Sequence, residues 1–161
     1  MGPRLLPLLR TALALGLLWL SPVRLAADER LALPGLEVGR LTEADLEDGT
    51  TILVVWASWS PRCRGVAASI AALAEAWSGK ARVASVVFQE EPSAVRRFLA
   101  GRDLRSPVYL DTTGAFSKRH AVTTLPGLLV FDGGKAAFRG KLPADPDPVI
   151  ERALTSDSEE P

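Results

Sequence analysis

Cysteine is almost missing from this chain. Cys63 is the single thiol in 161 residues, so no disulfide can close within it. Histidine is as scarce, with His120 alone. One Cys and one His make a poor ligand set, which argues against a metal site, and no pattern in the chain points to a cofactor. Neither sign of charge dominates: 19 Lys and Arg stand against 19 Asp and Glu. That balance offers no basic field for a nucleic acid. Internal repeats and long low-complexity tracts are lacking too. Apolar residues nevertheless make up 47% and charged residues 24%, the composition of one globular domain with a real core.

The only marked apolar run before the domain lies at residues 11–20, preceded by Arg4 and Arg10 and followed by Ala26 and Ala27. It is shorter than the roughly 20 residues of a membrane span but suits a secretory signal. Residues 1–27 are therefore expected to be a signal peptide cleaved after Ala27. An uncleaved membrane anchor is the alternative, because Leu25 is not the small residue preferred three positions before the cut. Cleavage removes Arg4, Arg10 and Arg24 and no acid, leaving 16 basic residues against 19 acidic ones. Export to a periplasm or another extracytoplasmic compartment follows, a setting in which disulfides persist. A protein with one cysteine in that setting has a buried thiol, an odd exposed thiol, or a thiol with a task.

Residues 28–154 read as the domain and 155–161 as a polar tail. Short strands are expected around residues 36–41, and Thr42 with Asp45 forms a capping-box pattern that starts a helical turn. Residues 51–56 are continuously apolar and β-branched, as in a strand buried on both faces. Ser60-Pro61 then looks like an N-cap and first helical position, with the helix running to about Trp77 and Val66, Ile70, Leu73 and Trp77 facing inward. A strand at 82–88, a helix from Pro92 to about Ala100, a short strand at 108–110 and a helix from Thr113 to about His120 come next. Residues 127–131, Asp132-Gly-Gly134 and 135–138 form a hairpin pattern, and the last helix is expected at 148–154. Strands alternating with helices predict an α/β fold with a mixed central sheet.

Trp56-Ala-Ser-Trp-Ser-Pro-Arg-Cys-Arg64 resembles the redox motif of the thioredoxin superfamily. It is most similar to exported TlpA/ResA-like thiol-disulfide oxidoreductases, whose motif runs Trp-Ala-Ser-Trp-Cys-Pro-x-Cys-Arg. Leu125-Pro126 falls where that family has its cis-proline, Asp132-Gly-Gly-Lys135 where it has its hairpin turn, and Tyr109-Leu-Asp111 with residues 116–122 matches the segment between. The resemblance spans most of residues 36–154 and implies a thioredoxin fold: a mixed sheet flanked by helices, a cis-proline loop, then a hairpin and a helix. It implies thiol–disulfide exchange with a protein partner, in which a first cysteine at the helix start attacks and the second resolves. Here Ser60 occupies the attacking position, and a hydroxyl cannot form a disulfide. Val54 stands six residues before Ser60, where thioredoxin has a buried Asp, and Val66 stands where TlpA-like proteins often place a Glu. The first acid of the helix is Glu75, roughly 18 Å along the axis from Cys63.

What survives is a redox-degenerate motif. Trp59, Pro61, Arg62, Leu125 and Pro126 would line a groove able to bind an extended polypeptide without redox chemistry. The enzyme alternative is single-cysteine chemistry at Cys63, as peroxide reduction or mixed-disulfide exchange. Ser60-x-x-Cys63 resembles the peroxiredoxin arrangement, although that family's preceding proline is absent and Trp56 stands near its place. For Cys63, burial under the helix start opposes ionisation, whereas the helix N-terminus, Arg62 and Arg64 favour it. A Ser60–His120 hydrolase is disfavoured, since His120 looks like an aromatic packing position. Glu90 and Glu91 follow the second strand and read as a solvated loop pair.

Overall fold

The computed structural model describes residues 31–157, so the expected signal peptide lies outside the described residues. Its centre is β3 (Thr50–Trp56), the continuous apolar run, flanked by β4 (Arg82–Phe88) in parallel and β6 (Gly127–Asp132) antiparallel. With β5 (Val108–Asp111) and β7 (Lys135–Lys141) the sheet order is β5-β4-β3-β6-β7, a mixed five-stranded sheet. A strand with neighbours on both edges and layers on both faces must be apolar throughout, and Thr51 to Trp56 are all buried.

Alternation along β3 divides the core in two. Ile52, Val54 and Trp56 join a cluster with Cys63, Val66, Ile70 and Leu73. That cluster draws on α2 (Val66–Ala76), α3 (Pro92–Leu99) and α5 (Asp147–Asp157). Leu53 and Val55 join the opposite cluster, with Leu46 of α1 (Glu43–Glu47) and Phe116 of α4 (Ala115–Arg119). The expected inward stripe of α2, ending in Trp77, is buried throughout.

Local chemistry explains the element ends. Thr42 Oγ1 accepts from Asp45 N at 3.3 Å while Thr42 N donates to Asp45 Oδ2 at 2.8 Å, the reciprocal pair of a capping box. The hairpin pairs Asp132 with Lys135 across Gly133 and Gly134, whose φ values of 54° and 85° are those a two-residue primed turn demands. β7 is an outer edge strand, with Lys135, Arg139 and Lys141 exposed on it. The other outer strand, β5, is covered instead: Gly35 bridges Tyr109, and Leu36 N donates to Val108 O at 2.8 Å.

The structure departs from the sequence reading in four places, one of them β7, which runs on to Lys141 where a strand ending at Phe138 is expected. The N-terminal strands are β1 (Leu33–Pro34) and β2 (Arg40–Leu41), displaced from residues 36–41 because the chain turns at Gly35–Gly39 to pair antiparallel with itself. The helix expected from Ser60 does not begin there. Pro61–Cys63 is a 3₁₀ turn and the α-helix starts at Val66, after Gly65. Short i→i+3 turns are common at helix entries, and glycine weakens helical continuity. Finally, α5 extends through Asp157, so Thr155 to Asp157 continue the helix expected to stop at Leu154.

Candidate functional site

The site grows out of the C-terminal end of β3. Past Trp56 the chain leaves the sheet, and Ser60 N donates to Ala57 O at 3.2 Å. Ser60 itself is extended, φ −80° and ψ 120°, the conformation a following proline imposes. Pro61 then turns the chain, and Cys63 N donates to Ser60 O at 2.9 Å. Ser60 thus starts the turn through its carbonyl. Its side chain makes no capping hydrogen bond, contrary to the expectation that the hydroxyl caps a helix.

The two motif positions end in different surroundings. Cys63 is 0% exposed and belongs to the core cluster with Trp56, Val66 and Ile70. Ser60 is buried to all but 7%, yet it lines an open groove of about 520 Å³. Trp59, Pro61, Arg62 and Leu125 line the same groove, together with Phe88, Ser117 and Val122 to Thr124. Four of the five residues expected there are brought together. The fifth, Pro126, is joined to Leu125 by a cis peptide bond as the resemblance implied, but it is not among the lining residues.

The two aromatic residues of the motif separate in the same way. Trp56 is 0% exposed and stacks at a tilt on Phe98, 5.1 Å between ring centroids. Trp59 is 60% exposed and leans towards Phe88 at 6.5 Å. The opposite wall is the loop from Val122 to Leu125. It approaches β6 so closely that a Cβ on Gly127 would lie 3.0 Å from Thr124 O, which explains a glycine at that position.

One residue that reads as a solvated acid is engaged. The Glu90 carboxylate accepts from Ser58 N at 2.6 Å and from the Ser58 hydroxyl. Strand register makes this pairing natural: Trp56 is opposite Val87 in the parallel pair, so the loops leaving β3 and β4 run side by side. Glu90 therefore anchors the loop that presents Trp59. Glu91 is exposed.

Acid–base machinery is sparse at the groove. Val54 and Val66 are buried apolar residues, and no carboxylate is among the groove's lining residues. Glu75 is exposed and paired at 3.6 Å with Arg105. His120 is held between Phe116 at 4.4 Å and Phe131 at 5.1 Å, and its Nε2 has no hydrogen-bond partner. Burial lowers its pKa below the ordinary 6.5, and it does not line the groove. Among the described residues no cluster of His, Cys, Asp and Glu could hold a metal, and no helix is long and apolar enough to cross a membrane.

This geometry has counterparts among solved structures. A secreted Mycobacterium tuberculosis disulfide oxidoreductase homologous to Escherichia coli DsbE is 19% identical, with a TM-score of 0.64 over 80% of this chain and 99% of that one. The exposed lipoprotein thioredoxin Etrx1 of Streptococcus pneumoniae is 19% identical, with a TM-score of 0.67 over 78% and 98%. StoA of Bacillus subtilis is 20% identical, with a TM-score of 0.63 over 75% and 93%. At such identities the likeness carries the thioredoxin fold. No curated protein sequence matches the chain. The model of the Redoxin family does match, over residues 31–138. With that match over most of its length and the fold to go with it, the chain belongs to the redoxin family, in the thioredoxin superfamily of thiol-disulfide oxidoreductases.

Proposed function

We propose that this chain is an exported, TlpA-type redoxin domain that has lost two-cysteine exchange and acts by holding a polypeptide partner in the Trp59–Leu125 groove. The observation that carries the reading is the division of the motif. The one thiol is wholly inside the core, and the residue facing the groove at the attacking position is Ser60. An exchange reaction needs a thiolate that reaches a substrate sulfur. What the groove offers instead is an exposed tryptophan, apolar walls and hydroxyls, the surface of a binder.

Export rests on the N-terminal leader, residues 1–27, and places the domain (28–154 in the sequence reading, with helix α5 reaching Asp157) in a periplasm or a similar compartment. The partner is a polypeptide, including one with thiols or disulfides of its own. Single-cysteine peroxide or mixed-disulfide chemistry would require Cys63 to reach solvent, and its burial weighs against that reading.

Alkylation of Cys63 tests the proposal directly. In the native protein the thiol should react far more slowly than in the unfolded protein, across the pH range in which free thiols are alkylated. Native reactivity equal to the unfolded reference would restore the enzyme reading. Ser60→Cys should then supply what was lost, forming an internal disulfide with Cys63 on mild oxidation, seen by mass and by loss of free thiol.

A further inference from the structure

The same groove has a chemical bias that narrows its partner. We propose that it selects an extended peptide segment in which a bulky apolar side chain lies next to an acidic one; this rests on the polypeptide-binding reading above.

Shape and apolar surface supply the first half. The groove's volume, about 520 Å³, lies within the usual range of ligand pockets, roughly 300–1,000 Å³. Trp59, Phe88, Val122 and Leu125 form its apolar walls. Trp59 is held in an exposed position by a loop that Glu90 ties down through Ser58, so little of its freedom remains to be lost on binding. An aromatic side chain presented in this way is the type that dominates binding energy.

Polar groups supply the second half. The Ser117 side chain is 3% exposed, its Oγ has no hydrogen-bond partner, and it lines the groove. Buried hydroxyls are rarely left unpaired, and a small shift of the groove wall would let this one donate to an arriving oxygen. Ser60, whose hydroxyl caps nothing, lines the same cavity. Among the lining residues Arg62 is the one with a formal charge. Its guanidinium suits a carboxylate, which it can meet with two parallel hydrogen bonds. The nearby acids do not compete for it: both oxygens of Glu90 are taken by Ser58, and neither Glu90 nor Glu91 lines the groove. Four hydroxyl-bearing residues (Ser60, Ser117, Thr123 and Thr124) and one cation, with no carboxylate in the lining, make an acceptor-rich, anionic partner complementary.

The test uses the full mature chain and short Gly/Ser peptides carrying a Phe beside Glu, Gln or Lys, with binding followed by titration calorimetry, a readout that does not depend on Trp59. The Glu peptide should bind about five- to tenfold more tightly than the Lys peptide at low salt, with Gln between them and the gap narrowing as salt rises. Arg62→Glu, at an exposed position, should invert the order, and Ser117→Ala should weaken all three peptides by a few-fold. Trp59→Ala should abolish binding of each. If Glu and Lys peptides bind equally and binding still depends on Trp59, the charge selection is wrong and the groove reading stands. If the order survives Arg62→Glu, the assignment to Arg62 is wrong. If no peptide binds, the polypeptide-binding reading fails as well.

Discussion

The two sides of the Pro61–Cys63 turn contain residues of one short motif, yet they belong to different parts of the molecule. On the inner side Cys63 and Trp56 pack with Val66, Ile70 and Phe98 as ordinary members of the core. On the outer side Ser60 and Trp59 face a groove whose other wall comes from residues some 60 positions later. Loss of one sulfur therefore has unequal effects on the two sides. The inner side needs a small apolar group at Cys63 whether or not it reacts. On the proposed reading the outer side retains a binding surface without a nucleophile. The motif in this chain is thus divided into a half packed in the core and a half that lines the groove.

The sharpest way to break that comparison is to remove each tryptophan in turn. Trp56→Ala should cost about 3–5 kcal/mol, the usual penalty for deleting a buried aromatic side chain. Trp59→Ala should stay within about 0.5 kcal/mol of the parent. Urea unfolding of both variants decides it, and similar midpoints would dissolve the distinction. A smaller effect tests the anchor of the outer side. Glu90→Ala should cost about 1 kcal/mol, because the carboxylate is only partly buried and its charged hydrogen bonds are partly replaced by water. Ser58→Ala in the Glu90→Ala background should add almost nothing, and a double-mutant cycle without coupling would mean that the two residues act independently.

The smallest effect concerns pH. Burial holds His120 below 6.5 in the folded state, so the unfolded chain binds its proton first. Stability from the neutral imidazole is complete above pH 6.5 and is lost as the pH falls from there towards the folded value. Asp45, lowered from 3.8 by its hydrogen bonds with Thr42 and then by Arg82, contributes in the same direction but only at more acidic pH. His120→Phe should flatten the stability profile just below pH 6.5 and leave the acidic limb unchanged. A parent profile already flat in that window would show that His120 titrates alike in both states.

These contrasts also mark what was legible in the residues. Patterns that repeat within one element were readable: the apolar run of β3, the inward stripe ending at Trp77, the Thr42–Asp45 box and the Gly133-Gly134 turn all stand in the structure as expected. The motif residues Trp59, Ser60, Pro61 and Arg62 come together on one groove, and His120 sits in an aromatic packing position, as its place in the sequence suggested. The start of α2 was misread because Ser60-Pro61 is an equally good opening for a 3₁₀ turn, and only the hydrogen bonds distinguish the two. The Glu90–Ser58 pair was missed because its members are 32 positions apart, and no local periodicity reports such a contact. A signal existed in the parallel pairing of β3 with β4, which brings the ends of both strands to the same edge of the sheet.

The strap formed by residues 33–41 has a consequence for how copies of this protein tolerate one another. A β-sheet is vulnerable at its outer strands, where unpaired backbone groups can recruit a strand from a neighbouring molecule. β7 meets that hazard with Lys135, Arg139 and Lys141, charges that discourage stacking. β5 has no such guard in Val108-Tyr-Leu110 and relies on the bridge from Gly35 and the hydrogen bond from Leu36. Loss of that strap would take Leu33, Leu36 and Leu41 out of the core and bare an apolar sheet margin at the same time. Such damage would expose the molecule to self-association as well as weaken its core.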